Sequence, residues 1–337
     1  MLSTLKWVEM PEHSRTTCLD GTRLDVIKLI MDWIVDESND QKRVLWLNGL
    51  AGSGKSTLST TIALTMRDLH LLGAFFFFDR DIPERNAPTL VRTLAYQLAV
   101  FDVSIGAEIS RIVESIPRIA EMSLNFQFTN LLSAHALKSV EWSGGPVVVV
   151  IDGLDECGSE TDREVLMQAL SKGFSNLPSF MRVVVVSRPE TDIEDTLASH
   201  NAVHPCRLHI DSEATQEDIS NFLRRRFSEI REKKHSQLGA DWPGHDKIGS
   251  LTNSAGGLFV WASTACLYIN GYDPDERLNG LITHQSEVDS SRPFVQLDRL
   301  YKTGLQSADW DDRSFRTDCC NIFLPSCAQE FPCLILR

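Results

Sequence analysis

Residues 49–57 read GLAGSGKST, which has the spacing G-x-x-x-x-G-K-[ST] of a phosphate-binding loop. Glycines at Gly49 and Gly54 let backbone N–H groups curl around phosphate oxygens without a side chain blocking the approach. We expect Lys55 to place a positive charge beside the β- and γ-phosphates, and the Ser56 hydroxyl is suited to ligate Mg²⁺. The segment therefore predicts a site for a nucleoside phosphate.

A cluster of acidic residues follows a hydrophobic run later in the chain. Residues 147–151 are four valines and an isoleucine, and Asp152, Asp155 and Glu156 come directly after them. In a phosphate-loop fold, an Asp at the end of such a strand lies beside the first strand and holds Mg²⁺ through water. Two further carboxylates beside a metal could polarise an attacking water. The alternative interpretation is an ordinary strand-to-turn boundary, where Asp and Gly are common.

Another candidate is Arg188, which follows an apolar segment at 183–186. We expect this strand to lie between the first and third strands, so that its carboxyl end points at the γ-phosphate. Arg188 could then stabilise that phosphate with a bidentate contact. The alternative is a salt bridge to Glu190 or Asp192.

The elements around these residues must bring them together. A short apolar segment at 43–48 precedes the loop and apolar residues at helical spacing follow it over 56–69, so we predict strand, turn and helix. In that order the helix N-terminus adds its positive dipole end to the anion site. Further strands are predicted at 74–78, 147–151 and 183–186, with a shorter one at 207–210. Helices are predicted from Thr22 with Asp25 as a capping residue, over 86–101, and twice within 102–143.

This alternation predicts an α/β domain with a mainly parallel five-stranded sheet, followed by a small helical domain. We expect a linker at 1–17, the nucleotide-binding α/β domain at 18–210, the helical domain at 211–308 and an irregular tail at 309–337. The basic triplet 224–226 lies in a predicted amphipathic helix, where a solvated face is the favoured interpretation.

Composition excludes several classes of protein. The formal net charge of −13 over 337 residues argues against a general nucleic-acid surface, since affinity for phosphate backbones needs clustered Lys and Arg. The 8 cysteines lack zinc-type spacing, which favours free thiols in a reducing compartment. The N-terminus lacks the apolar core of a secretory leader, and no run approaches the length of a membrane span. We expect a soluble cytoplasmic protein without a membrane span.

Several motifs together resemble the NACHT module of fungal NOD-like receptors, over roughly residues 16–308. They are CLDGTR at 18–23, WLNGLAGSGKST at 46–57, DGLDE at 152–156, SRPE at 187–190 and GGLFVWASTA at 256–265. The resemblance implies a P-loop NTPase of the ASCE/AAA+-like group and of the STAND class. Such a protein is a signalling switch that holds ADP when closed and self-associates or joins other NACHT proteins when ATP replaces it. It also implies slow Mg²⁺-dependent hydrolysis, in non-self recognition or programmed cell death.

The resemblance also implies roles for individual residues. Phosphate and metal contacts fall on Gly49, Gly52, Ser53, Gly54, Lys55, Ser56 and Thr57, with Asp152 serving Mg²⁺. Asp155 and Glu156 are assigned to hydrolysis and Arg188 to sensing the phosphate. The adenine and ribose should lie near Gly21, Thr22 and Arg23.

The sequence departs from this family in three places. Gly153 stands where most related ATPases place a catalytic Glu, and Phe259 stands where plant relatives carry a proline against the base. The effector, winged-helix and repeat domains usual in the family find no counterpart, so the resemblance implies a truncated form. Two alternatives therefore stay open: a working AAA+-like ATPase, against which Gly153 argues, and a non-enzymatic decoy that pairs with full-length NACHT proteins. A small-molecule kinase is disfavoured, because no lid or substrate-binding insertion is evident.

Overall fold

A computed structural model describes residues 2–11, 15–36, 41–235, 238–285 and 293–306. The predicted tail at 309–337 and parts of the predicted linker lie outside the described residues. The strands are β1 (Val44–Asn48), β2 (Leu72–Phe77), β3 (Val147–Asp152), β4 (Met181–Ser187) and β5 (Val203–Arg207). The helices that alternate with them are α1 (Leu24–Val35), α2 (Lys55–Asp68), α3 (Ala87–Phe101), α4 (Val103–Ser115), α5 (Leu124–Leu131), α6 (Glu160–Phe174) and α7 (Thr191–Leu197). A run of helices follows, comprising α8 (Glu213–Lys233), α9 (His245–Ala255), α10 (Phe259–Ile269), α11 (Pro274–Gln285) and α12 (Pro293–Gln306).

The described strands form one parallel sheet in the order β2-β3-β4-β1-β5. This confirms the predicted α/β fold with a parallel five-stranded sheet, and β4 lies between β1 and β3 as expected. In register, Asn48 pairs with Ser187, and Asp152 pairs with the neighbouring Val186. The carboxyl ends of β1, β3 and β4 therefore meet at one edge, where ligands bind in open α/β sheets.

Successive side chains of each strand point to opposite faces of the sheet, so the core is divided into two layers. Trp46 and Phe76 face a layer covered by α3, α4, α5 and α6, whereas Leu45 and Phe75 face a layer closed by α1 and α2. Because both faces are covered, the central strands read as continuous apolar runs rather than alternating ones. This burial accounts for the four valines of β3.

The helices α8 to α12, which we call the helical unit, bury a core of their own. Its largest side chains include Phe227 and Trp261, both fully buried. The indole Nε1 of Trp261 donates a hydrogen bond of 3.3 Å to the backbone oxygen of Gln296 on α12. The helical unit therefore has its own apolar interior beside that of the sheet.

Two predicted elements differ from the structure. The fifth strand was expected at 207–210, but β5 ends at Arg207 and begins at Val203. Among the described strands it pairs with β1 alone, and only Val203 is buried while the four residues after it are half-buried or exposed, so it lacks the apolar run of a central strand. Pro205 is tolerated there because an edge strand leaves one row of N–H groups out of the ladder.

The start of the first helix also differs. The helix was expected to open at Thr22 with Asp25 as a cap, but α1 begins at Leu24. Arg23 precedes it in the left-handed region with φ 60°, and its own side chain makes no capping hydrogen bond to the helix. The Thr22 hydroxyl instead donates 2.7 Å to the Leu19 oxygen, closing the turn before α1. This turn fixes where Arg23 points.

The described part of the predicted linker packs against the sheet and α3. Leu5 is fully buried in the layer that contains Trp46. Trp7 stacks on Tyr96 with ring centroids 4.0 Å apart. In the part of the chain that the structure describes, no helix combines the length and apolar character needed to cross a membrane.

Candidate phosphate-binding site

The phosphate-binding loop connects β1 to α2. Gly52 and Gly54 adopt positive φ of 75° and 91°, which glycine reaches without the steric cost of a side chain. Gly54 is the N-cap of α2, so the first N–H groups of the helix open onto the loop. These free N–H groups and the helix dipole together make an anion site.

Lys55 is anchored to the loop that it follows. Its Nζ donates to the backbone oxygens of Gly49 and Leu50, at 2.8 and 2.9 Å. An ammonium group has three donors, so this anchoring leaves one for a ligand oxygen. Burial lowers the pKa of Lys55, and the negative charge of Asp155 opposes that shift. The lysine is thus held as a positive charge at the mouth of the loop.

Ser56 and Asp152 offer oxygen ligands to a cation. The Ser56 hydroxyl lies 3.3 Å from Asp152 Oδ1, and burial raises the pKa of Asp152 while the charge of Arg15 opposes the rise. Among the described residues, no group of three or more His, Cys, Asp or Glu could hold a metal by itself. One hydroxyl and one carboxylate beside a phosphate loop nevertheless fit Mg²⁺, which keeps several waters and takes further ligands from the phosphates. Bound there, Mg²⁺ would neutralise charge on the phosphate oxygens.

The carboxylates after β3 have different surroundings. Asp155 is buried, and its Oδ1 accepts 2.9 Å from the backbone N–H of Arg188, while its Oδ2 lies 3.2 Å from Arg188 Nε. Glu156 is half-buried, and burial followed by the charge of Asp155 raises its pKa. Of the two, Glu156 is the carboxylate placed to accept a proton, because Asp155 is occupied by Arg188.

Arg188 therefore has a partner that neither sequence interpretation named. The expected salt-bridge partners were Glu190 and Asp192, but Asp192 lies 2.5 Å from Arg163 Nε instead. The side chain of Arg188 remains 42% exposed beside Asp155, which leaves donors on the guanidinium able to face a phosphate.

Residues 15–23, which we call the N-terminal strap, form a further wall of the site. Arg23 is buried, and its Nη2 donates 2.8 Å to the oxygen of Ser53 in the loop. Its Nη1 donates 2.9 Å to Thr215 Oγ1, and its backbone N–H donates 3.1 Å to Asp218 Oδ1, both on α8. Burial lowers the pKa of Arg23, which the charge of Asp218 opposes. The guanidinium thus joins loop, strap and helical unit.

The helical unit also reaches the loop directly. The backbone N–H of Val260, at the start of α10, donates 3.1 Å to the oxygen of Gly52. Arg226, which was predicted to lie on a solvated face, borders the cavity above the phosphate-binding loop. Its Cζ lies 5.3 Å from the centroid of the Phe222 ring. Sequence reasoning missed Phe222, Val260 and Arg226 as site residues. The GGLFVWASTA motif was the available signal for Val260, because the neighbouring Phe259 stands where plant relatives carry a proline against the base.

These elements enclose one cavity of about 710 Å³. Of the predicted site residues, those that line it are Thr22, Arg23, Gly52, Gly54, Lys55, Ser56, Thr57, Asp152, Asp155, Glu156 and Arg188. Three do not. Gly49 lies against Leu208, and Ser53 is a completely buried residue of the loop. Gly21 lines a neighbouring cavity of about 320 Å³ instead.

The chain is similar in sequence to known proteins. The sequence profile of the family Nephrocystin 3, N-terminal matches residues 28–188. The chain is 26% identical over 272 residues to the Vegetative incompatibility protein HET-E-1 of Podospora anserina, a match that covers 76% of this chain. It spans only 19% of the length of that relative. These matches support the NACHT-like domain expected from the sequence motifs.

Solved structures that show a likeness to this chain include C. elegans PCH-2, with 12% identity and a TM-score of 0.42, covering 79% of this chain and 69% of that one. Another is domain III of the Thermotoga maritima replication initiation protein DnaA, with 12% identity and a TM-score of 0.39, covering 89% of this chain and 96% of that one.

Proposed function

We propose that the NACHT-like P-loop module of this chain binds ATP and ADP with Mg²⁺ and acts as a slowly hydrolysing signalling switch in the cytoplasm. The observation that carries the proposal is the convergence of Lys55, Ser56, Asp152 and Arg188 on one cavity. A cavity of about 710 Å³ is within the range of small-molecule sites. The process it serves, by analogy with the vegetative incompatibility protein, is non-self recognition or programmed cell death.

The surroundings of the carboxylates support slow rather than rapid hydrolysis. Gly153 stands directly after Asp152 with φ 71°, and a Cβ there would lie 3.2 Å from the Phe78 backbone oxygen. This position suits glycine, so a catalytic Glu of the kind found in working ATPases would be strained there. Asp155 is bound to Arg188, which leaves Glu156 as the candidate base. A switch needs bound nucleotide to persist, and weak base catalysis serves that need.

The direct contact between loop and helical unit supports a switch as well. Val260 binds the Gly52 oxygen and Arg23 binds the Ser53 oxygen, so a phosphate that moves the loop would also move the helical unit. Closure of a second unit over a nucleotide is a common form of ligand-driven switching. We expect ADP to favour the closed arrangement and ATP to weaken it.

The experiment is equilibrium binding of fluorescent ATP and ADP to the purified chain, with phosphate release followed in the same samples. Lys55→Ala should weaken binding by about 100-fold, the loss expected when a charge-assisted phosphate contact of about 1.5–3 kcal/mol is removed. Lys172→Ala, an exposed lysine on α6, is the matched control and should bind normally. Wild-type protein that fails to bind either nucleotide would refute the proposal.

The same measurements separate the alternative functions. A working AAA+-like ATPase would release phosphate quickly, and Lys55→Ala would abolish the release. A non-enzymatic decoy would instead co-purify with a longer NACHT protein whether or not nucleotide is present. Retention of ADP with negligible turnover is the outcome that we expect.

A further inference from the structure

The two carboxylate oxygens of Asp152 have different partners. Oδ1 accepts 3.3 Å from the Ser56 hydroxyl, on the side of the phosphate-binding loop. Oδ2 lies 2.6 Å from Nη2 of Arg15, which comes from the N-terminal strap 137 residues away in sequence. The carboxylate is 2% exposed and the Arg15 side chain 20% exposed, so water screens this ion pair little. Arg15 thus fixes the oxygen that faces away from Ser56.

Arg15 is itself held by contacts on two sides. Its Cζ lies 4.3 Å from the centroid of the Phe77 ring at the end of β2 and 5.9 Å from that of Phe75, both within cation–π range. Three residues further on, the backbone N–H of Cys18 donates 2.8 Å to Thr61 Oγ1 on α2. The strap is therefore fastened to the helix that carries Ser56, and the guanidinium is seated on the aromatic end of β2.

We propose that Arg15 is a positioning residue that orients Asp152 so that Oδ1 faces Ser56 and is available to Mg²⁺ or its waters. The inference rests on the proposed nucleotide and Mg²⁺ site and adds to it a residue that lies outside the recognised motifs. A carboxylate can rotate about its terminal torsion, and a second partner on Oδ2 removes that freedom before the metal arrives. Partners that orient a metal ligand typically contribute about 10–100-fold in metal affinity.

The same contact could also have the opposite effect on Mg²⁺ binding, and the experiment must exclude it. A guanidinium beside Asp152 could compete with Mg²⁺ for the carboxylate, as two cations drawn to one charge. The geometry favours support over competition, because Arg15 occupies Oδ2 and Ser56 lies at Oδ1. Removal of Arg15 should therefore weaken Mg²⁺ binding, whereas competition predicts that its removal strengthens it.

The test is the Mg²⁺ dependence of fluorescent ADP binding in wild type, Arg15→Gln and Arg15→Lys, with EDTA as the metal-free reference. We expect Arg15→Gln to match wild type in EDTA but to need about 10–100-fold more Mg²⁺ for the half-maximal gain in affinity. Arg15→Lys should recover part of the difference, because an ammonium keeps the charge without the planar fork. The thermal unfolding temperature of each variant shows whether it is folded.

Arg85→Gln is the matched control. The Arg85 Cζ lies 4.1 Å from the same Phe77 ring, but its ion pair is with Asp79. This variant should therefore leave the Mg²⁺ midpoint unchanged. An Arg15→Gln midpoint equal to or below that of wild type would overturn the inference, as would an equal loss of affinity with and without metal.

Binding of Mn²⁺ in the presence of inorganic pyrophosphate, which supplies phosphate oxygens without a nucleoside, tests the inference separately from the proposed function when followed by water proton relaxation. Weaker Mn²⁺ binding in Arg15→Gln than in wild type would support the role of Arg15 even if no nucleotide bound. Equal Mn²⁺ affinity in the two proteins would refute it. Failure of the wild type to bind nucleotide would count against the proposed function alone.

Discussion

The phosphate-binding loop and the N-terminal strap face the same cavity but are built in different ways. Lys55 is anchored by Gly49 and Leu50, residues no more than six positions before it. In the strap, Arg15 and Arg23 bind residues 137 and 192 positions away, on β3 and α8. The hydrogen bonds that anchor Lys55 are therefore local to the loop. The strap has its shape only when the sheet and the helical unit are both folded.

This difference indicates how the site could be both a binding site and a sensor. A locally determined loop binds phosphate reproducibly, because its geometry depends on few distant contacts. The N-terminal strap, in contrast, should respond to changes elsewhere in the molecule, because its contacts join it to distant parts of the sheet and of the helical unit. The following variants test this difference between the loop and the strap, beginning with the one expected to lose most stability.

Arg23→Ala should have the largest effect on stability. It removes buried hydrogen bonds to Ser53 and Thr215 and leaves Asp218 without its cation. We expect a loss of about 2–3 kcal/mol in the free energy of unfolding, at the lower end for a broken buried pair since the Asp218 side chain is 17% exposed. Urea denaturation of the variant and the wild type measures this change in the free energy of unfolding.

The control for that variant is Arg224→Ala on the exposed face of α8, where we expect a change below about 0.5 kcal/mol. Trypsin should also cleave Arg23→Ala faster than wild type after Arg207, in the connection to the helical unit. Equal stability of the Arg23 and Arg224 variants would show that the strap does not join the two units.

Gly52→Ala tests the direct contact between the loop and the helical unit. Its Cβ would lie 2.3 Å from Val260 Cγ1, and the residue has a φ of 75°. We expect a loss of about 1–2 kcal/mol from the left-handed backbone alone, and more from the clash. Adding Val260→Ala to this variant should recover the part of the lost stability that comes from the clash with Cγ1. The part that comes from the strained backbone should remain.

A double-mutant cycle measured by urea denaturation separates those two parts. Gly249→Ala is the control, because a Cβ at this position of α9 meets no atom within 4 Å. If Val260→Ala recovered nothing, the helical unit would not press on the loop, and the proposed coupling between them would lose its support.

Glu156→Gln should have the smallest effect, and its sign depends on pH. Because the pKa of Glu156 is raised above its ordinary 4.5 in the folded protein, ionisation opposes folding. The stabilising contribution is complete below pH 4.5 and is lost as the pH rises through the folded pKa. At pH 7 to 8 the variant should therefore be more stable than wild type by less than about 1 kcal/mol, since water screens a half-buried carboxylate.

Thermal unfolding from pH 4.5 to 8 measures this difference, which should shrink toward the acid end. Exposed Glu114→Gln on α4 is the control for the effect of the substitution itself. A Glu156→Gln variant that is less stable than wild type at pH 8 would contradict the expected sign. Loss of phosphate release in the same variant would support Glu156 as the base.

Much of the fold could be predicted from patterns of residues that are close together in the sequence. The loop at 49–57, the apolar runs of β3 and β4 and the helical spacing after Lys55 depend on residues close in sequence, so they could be predicted. The position of β4 between β1 and β3 was predicted as well, because a phosphate loop and an acid-terminated strand belong to one topology. The edge strand β5 was misplaced, since its pairing with β1 leaves no continuous apolar signal.

Patterns in the sequence are therefore enough to predict the phosphate loop, the acidic edge after β3 and the parallel sheet that brings them together. Which groups meet across the cavity depends on the packing of distant segments. That packing pairs Arg188 with Asp155, seats Arg15 on Asp152 and buries Arg23 between Ser53 and α8. The physical reason is the range of the interactions. Periodicity and turn geometry act over a few residues, whereas an ion pair between distant segments exists only after the sheet and the helical unit have packed together.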